Sequence, residues 1–228
     1  MIVKGIVKHF GRLIKKAEEN IIAKMTDGRL DTEPSVTERF LQEIESVFEE
    51  YGEKDGIIFR VRTLRDRGAN SPEKEFGADF CGVLDIKLPE LEQSKGFLAQ
   101  AKSERQGIRV DKRPYGLNAV SFPTGSESNR LRSQAIKMLS VTPDSFIIIY
   151  SISGFMVVPA SAIQGIRHHG LLNQVIQLYG KPVDRFFKEF IMCFIGDPKL
   201  KAYDDQTLKK LRENMEARFA LLFQIKES

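Results

Sequence analysis

Apolar and polar residues alternate along the chain with two different periods, which divide its first half into helices and strands. Apolar residues recur every three or four positions over residues 2–25 and again over 35–51, as in helices with one buried face. Alternation over 57–64, with arginines on one face, predicts a strand. The short apolar runs over 76–88 and 96–102 predict two more strands.

The second half combines a long polar stretch with further apolar runs. Residues 103–129, which are polar and contain several glycines and prolines, predict an irregular loop. The remaining predicted elements are a helix at 130–139, strands at 145–152 and 155–158, and helices at 171–179, 183–195 and 206–224. The mixture of strands and helices predicts an α/β fold.

Two of the predicted strands carry polar residues where a buried strand would carry apolar ones. Because side chains alternate between the faces of a strand, Gln100 and Lys102 share one face, opposite Ala99 and Ala101. Asp79 lies on the preceding strand. Carboxylate and amide oxygens suit Mg²⁺, and an ammonium group can stabilise the charge that develops on a phosphoryl group. The alternative is a buried polar pair satisfied by its neighbours at a strand end.

Two similar triplets elsewhere lack this context. Asp85-Ile86-Lys87 shares the strand of Asp79 and therefore cannot supply a second strand. Asp197-Pro198-Lys199 has a central proline and follows a glycine, which predicts a turn. Only Gln100-Ala101-Lys102 combines a strand, an upstream acid on another strand and a basic segment behind it.

The order of an acid, a gap and Gln-x-Lys resembles the PD-(D/E)xK nuclease superfamily in its Gln-x-Lys form, as in Mrr-like restriction nucleases and bacterial defence proteins. The resemblance covers roughly residues 30 to 155 and includes Glu33-Pro34-Ser35-Val36-Thr37 before a helix. It implies a restriction-endonuclease-like core, with a central mixed sheet flanked by helices, over residues 31–165. It leaves an N-terminal amphipathic helix packed on that core (1–30) and a C-terminal helical extension (166–228).

The resemblance also implies a function. The expected activity is Mg²⁺- or Mn²⁺-dependent hydrolysis of DNA phosphodiester bonds, in restriction or antiphage defence. Asp79, Gln100 and Glu33 are the expected metal ligands, and with Lys102 they form the expected catalytic set. Most of the superfamily has an acid where this chain has the neutral Gln100, so the site needs another carboxylate. Glu33 supplies it by resemblance, while Glu38, which a capping box with Ser35 also explains, and Glu43 stay open as alternatives.

Two other functions stay open. One is a non-catalytic module that binds nucleic acid or assembles a complex through a degraded nuclease site, which the neutral glutamine favours. The other is a structure-specific nuclease acting on DNA junctions or on RNA. Because an unregulated nuclease endangers its host, a homodimer or a partner protein from a defence system is a further hypothesis.

Basic residues follow the Gln-x-Lys triplet. The residues expected to contact DNA phosphates are Arg105, Arg109, Lys112 and Arg113. A solvated charged surface is the alternative. The formal net charge of +4 permits a nucleic-acid partner without requiring one. Gln134 resembles a glutamine that several members of the superfamily carry on the helix after the site.

The cysteines, the apolar runs and the histidines bear on the cellular compartment and on other possible sites. Cys81 and Cys193 both lie in apolar runs, which predicts reduced core residues of a cytoplasmic protein. The chain has no apolar run near the ~18 residues that cross a bilayer, so no membrane partner is expected. His168-His169 has no ligand spacing around it and predicts a helix end rather than a metal site.

Overall fold

The structure is a computed structural model, in which the described residues are 4–65, 77–104, 109–112, 118–121, 126–165 and 178–228. Within these ranges the helices are α1 (Lys4–Thr26), α2 (Glu33–Tyr51), α3 (Ser126–Val141), α4 (Ala160–Gln164), α5 (Val183–Ile191) and α6 (Asp205–Asn214). The strands are β1 (Glu53–Lys54), β2 (Ile57–Arg65), β3 (Phe80–Leu88), β4 (Leu91–Ser103), β5 (Arg109–Lys112), β6 (Asn118–Ser121), β7 (Ser145–Tyr150), β8 (Met156–Pro159), β9 (Leu178–Pro182) and β10 (Phe219–Glu227).

The strands form one mixed sheet. From edge to edge, the strands of the described residues follow the order β1-β2-β10-β3-β4-β7-β8-β9-β6-β5. β10 runs parallel to β3, and β4 runs parallel to β7, while the other neighbours are antiparallel. The fold is therefore α/β with a mixed sheet flanked by helices, as the sequence predicts. No helix in the described ranges is both long and apolar enough to span a bilayer.

Helices cover both faces of the sheet and enclose two apolar cores. α1, α2 and α5 bury their apolar stripes on one face, and α3, α4 and α6 cover the other. On the first face Phe97 contacts five aromatic rings, those of Phe80, Phe146, Phe186, Phe187 and Phe190, at centroid distances of 5.0–6.1 Å. The apolar stripe of α1, from Ile6 to Ile21, is buried on this face.

The C-terminal part of the chain differs from the prediction. The helix predicted over 206–224 ends at Asn214, and β10 lies in the middle of the sheet, between β2 and β3. A strand buried on both faces reads as a continuous apolar run, which has no period to separate it from a buried helix. Residues 166–228 are therefore not a purely helical extension, because they supply β9 and a central strand.

Smaller differences concern loops and element ends. Part of the predicted loop 103–129 forms the β5–β6 hairpin and the start of α3. The helix predicted at 171–179 overlaps β9 at its last two residues, and 171–177 lies outside the described residues. α2 begins at Glu33 under a Thr32 cap, so the capping box predicted at Ser35 is wrong.

Candidate functional site

Asp79 lies immediately before β3 and is fixed by the strands on both sides. Its backbone N–H donates to the carbonyl oxygen of Ala99 at 2.8 Å, and its own carbonyl accepts from the N–H of Phe219 at 3.1 Å. Its side-chain Oδ2 accepts from the backbone N–H of Ala101 at 2.8 Å and from the side-chain amide of Gln100. The carboxylate therefore lies against β4 at the Gln-x-Lys triplet.

Gln100 is buried and is oriented by two hydrogen bonds. Its Nε2 donates to Asp79 Oδ2 and, at 3.1 Å, to the carbonyl oxygen of Ala101. Its Oε1 is buried as well, and no described residue donates a hydrogen bond to it. A buried amide oxygen without a donor is costly, so this atom is suited to accept a donor or a cation from outside the protein.

Lys102 contacts Glu33 across the space between β4 and α2. Lys102 Nζ and Glu33 Oε1 are 3.8 Å apart, and the two side chains are 8% and 12% exposed. Glu33 is the first residue of α2, where the Thr32 side chain accepts from the N–H of Ser35 at 3.4 Å. The buried Thr37 hydroxyl donates to the carbonyl oxygen of Glu33 at 2.9 Å, so the Glu-x-x-x-Thr spacing is part of the first turn of the helix.

Tyr150, at the end of β7, belongs to this region, although no motif in the sequence marks it. It is opposite Ser103 in the register of β7 and β4, and its hydroxyl is fully buried. Burial raises the pKa of Tyr150; the neighbouring Thr37 side chain opposes that effect, and the nearby Glu33 carboxylate adds to it. A tyrosine that ends the apolar run 146–149 is the signal in the sequence, because its hydroxyl needs a partner when buried.

Gln134 of α3 lies close to Gly77, two residues before Asp79. Gly77 adopts φ +73°, and a Cβ there would lie 3.0 Å from the carbonyl oxygen of Gln134 and 3.1 Å from its Cα. Glycine at this position lets α3 approach the segment that leads into Asp79. Gln134 Oε1 is a second buried oxygen to which no described residue donates.

The three candidate glutamates differ in their surroundings. Glu38 forms an ion pair with Arg65. Glu43 accepts from Lys24 at 2.6 Å and from Asn20 at 2.8 Å; burial alone would raise its pKa, but these hydrogen bonds lower it overall. Glu33 is the one of the three that lies beside Lys102.

The two similar triplets have structural explanations. Asp85 lies on β3 six residues after Asp79, about 20 Å away along an extended strand. Its carboxylate is 3.6 Å from Lys87 Nζ. Asp197 accepts hydrogen bonds from the Thr142 hydroxyl and from the N–H of Lys199, both at 2.8 Å. Its carboxylate therefore stabilises the turn that contains it.

The donor set fits a divalent cation that prefers oxygen. It comprises the Asp79 and Glu33 carboxylates and the Gln100 Oε1, all hard oxygen donors. Within the described residues no group of three or more acidic, histidine or cysteine side chains converges, so this set depends on the amide as a ligand. Two carboxylates and a neutral amide give less negative charge than the three acids of a typical carboxylate site. The fit rests on the buried Gln100 Oε1, which has no donor within the described residues.

Two described cavities lie away from this site. One, of about 320 Å³, is beside the end of α2 and β2, and one of about 700 Å³ lies between α1 and α5. The predicted DNA contacts Arg109 and Lys112 lie on β5, while Arg105 and Arg113 fall outside the described residues. His168 and His169 are also outside them. Of the two cysteines, Cys81 is buried as predicted, but Cys193 is exposed, at a positive φ of 65° just after α5.

Comparison with known proteins gives no match. No protein-family model, no curated protein and no solved structure matches this chain.

Proposed function

We propose that this protein is a Mg²⁺- or Mn²⁺-dependent nuclease that hydrolyses phosphodiester bonds of DNA on a restriction-endonuclease-like core. One observation carries the proposal: Asp79, just before β3, lies against Gln100 of the neighbouring β4, and Lys102 follows on β4 with Glu33 next to it. Four buried or half-buried polar side chains in an otherwise apolar α/β core are costly to maintain. Such groups cluster where chemistry requires them.

Each side chain has a role that its surroundings support. Asp79 and the Oε1 of Gln100 would hold the cation, with Glu33 as the second carboxylate. When bound, a divalent cation polarises a phosphoryl oxygen and makes bound water a better nucleophile. Lys102, held near Glu33 in a position of low exposure, would stabilise the negative charge of the transition state. The Thr37 hydroxyl, which donates to the carbonyl oxygen of Glu33, stabilises the helix turn that carries Glu33, and Tyr150 lies near the Glu33 carboxylate.

The proposed setting is restriction or antiphage defence in the cytoplasm. DNA would reach the site over the basic segment that follows Lys102. Two of its basic residues, Arg109 and Lys112, lie on β5. A homodimer or a defence-system partner protein would control the activity.

A second candidate is a module that binds nucleic acid without cutting it. The observation in its favour is that the Asp79 carboxylate already accepts hydrogen bonds from Gln100 and Ala101 within the protein. A cation would have to replace the first of these bonds or use the remaining lone pairs of the carboxylate.

Plasmid cleavage with site and control variants tests the nuclease. Asp79→Asn and Lys102→Met should each abolish Mn²⁺-dependent nicking. Asp85→Asn and Lys87→Met change the same residue types on the same sheet about 20 Å away, so nicking by these controls should stay near the native level. Linear duplex, a four-way junction and RNA, tested side by side, would identify the substrate. Equal activity in Asp79→Asn and the native protein would refute the proposed site.

Metal binding separates the nuclease from the binding module without relying on activity. Titration of Mn²⁺, followed by its electron paramagnetic resonance signal, should show binding that Asp79→Asn removes. Lys102→Met should bind Mn²⁺ at least as tightly as the native protein, because it removes a positive charge near the ligands, yet it should not cleave. DNA binding with no Asp79-dependent Mn²⁺ binding would instead support the module.

A further inference from the structure

The cavity between α1 and α5 has an apolar floor. Val7 of α1, Leu91 at the start of β4 and Ile191 at the end of α5 line it, and Met192 and Phe194 stand at its rim. Its volume of about 700 Å³ lies within the range of roughly 300–1,000 Å³ that is usual for small-molecule sites. Phe194 is 78% exposed, and Met192 is 40% exposed. Large apolar side chains that are exposed to solvent around a cavity indicate a surface that binds a ligand or a partner.

The charges around this floor are of one sign. Lys4, Lys8 and Lys188 line the cavity, and no acidic residue of the described chain lines it with them. Lys188 is bound to Asp184 at 2.7 Å. For Lys4 and Lys8, both exposed, no ion pair is found within the described residues. A ligand of this cavity would therefore meet an apolar surface and two available ammonium groups.

These properties restrict the class of ligand. A second copy of the chain, docked through this same face, would place lysines against lysines, which is repulsive. A stable protein interface uses about 20–30 residues on each side, and far fewer residues line this cavity. A ligand with a single apolar chain and an anionic head can contact the apolar floor through its chain and the lysines through its head.

We propose that this cavity binds a free amphiphile with one aliphatic chain and a carboxylate head. The chain occupies the apolar floor, and the carboxylate lies against Lys4 and Lys8. This site is separate from the proposed nuclease centre and does not depend on it.

Cys193 gives a built-in measurement of this binding, because it lines the cavity and is exposed. The only other cysteine, Cys81, is fully buried, and burial raises its pKa to about 12, so it reacts slowly. The experiment measures the rate at which N-ethylmaleimide labels Cys193 in the full chain, with increasing dodecanoate below its micellar concentration. At ten times the dissociation constant the rate should fall about tenfold. Dodecyltrimethylammonium, with the same chain and the opposite charge, should protect far less.

Variants locate the head and the chain. Lys4→Glu with Lys8→Glu should weaken dodecanoate binding by about tenfold or more, and added salt should weaken binding to the native protein. Phe194→Ala should weaken it without disturbing the core, since this side chain is mostly exposed. Lys137→Glu with Lys209→Glu makes the same charge change on exposed lysines of α3 and α6, which cover the opposite face, and should leave binding unchanged.

Three results would overturn the proposal. Equal protection by the cationic amphiphile would show a general apolar surface without a carboxylate site. Absence of protection by dodecanoate would show that the cavity does not take this ligand. Protection by vesicles of anionic lipid, but not by dodecanoate, would assign the surface to a membrane.

Discussion

Replacing Lys102 with methionine should destabilise the protein strongly, and replacing Glu33 as well should cost less than the two separate losses added together. Methionine keeps the apolar stem of Lys102 but removes its charge. The Glu33 carboxylate, with 12% of its side chain exposed, then loses its ammonium neighbour at 3.8 Å.

The distance gives the magnitude. Two unit charges 3.8 Å apart attract by about 4 kcal/mol at an effective dielectric constant of about 20. Removing one member of a buried pair typically costs about 3–5 kcal/mol, because the other charge stays buried. We therefore expect Lys102→Met and Glu33→Gln each to lower the free energy of unfolding by about 3 kcal/mol. The double variant should lose less than the sum of the two by about 1–3 kcal/mol.

Urea unfolding of the four proteins, followed by circular dichroism, measures this coupling. The same cycle with Lys95→Met in place of Lys102→Met is the control, since Lys95 is a buried lysine of the same strand whose Nζ donates to the carbonyl oxygen of Ile195. It should show no coupling with Glu33→Gln. Losses that simply add for Lys102 and Glu33 would refute the claim that the two charges stabilise each other across this site.

Three further predictions concern the surroundings of the site and the core. Gly77→Ala should cost about 1–2 kcal/mol for the left-handed backbone and more for the contact with Gln134. Gly28→Ala has a similar φ of +78° but no atom within 4 Å, so thermal unfolding should show a smaller loss; equal losses would contradict the role assigned to the Gln134 contact. Burial raises the pKa of Asp85 above its ordinary 3.8, although the nearby Lys87 lowers it in part. The stability of the native protein should therefore fall as the pH rises from 3.8 through the raised pKa of Asp85. Asp85→Asn should then be more stable than the native protein at pH 7 and lose this advantage near pH 3.8 and below; a difference that does not vary with pH would be inconsistent with this. Phe97→Ala should cost about 3–5 kcal/mol in urea unfolding because five rings lose a shared neighbour, and a cost below about 1 kcal/mol would show that these rings close over the gap.

Periodicity predicts those elements that have one buried and one exposed face. α1 and α2 show the helical period because solvent meets their outer sides, and the polar Gln100 and Lys102 stand out because the alternation of β4 has an apolar face at Ala99 and Ala101. β10 fails this test, since Phe219 and Leu221 face one core while Ala220 and Leu222 face the other. The pairing of β10 with β2 and β3 depends on contacts distant in sequence, which no local pattern contains.

The candidate site also has a part that local sequence patterns predict and a part that depends on contacts distant in sequence. The approach of Asp79 to Gln100 follows from two adjacent strands. By contrast, the position of Glu33 beside Lys102 depends on how the start of α2 meets the end of β4, and it was reached only by resemblance. The position of Tyr150 near the site follows from the parallel pairing of β7 with β4, and the order of the elements along the chain does not reveal this pairing.

The position of β10 links the proposed site to the order in which the protein is made. Asp79 and Lys102 are synthesised early, but β10, whose first residue Phe219 donates its N–H to the Asp79 carbonyl oxygen, is synthesised last. At about 5–20 residues per second, on the order of ten seconds separate the two on the ribosome. During that interval one side of Asp79 has no neighbouring strand, so a nascent or prematurely terminated chain lacks the assembled carboxylate. The proposed cleavage activity would then be confined to chains that have been translated through β10.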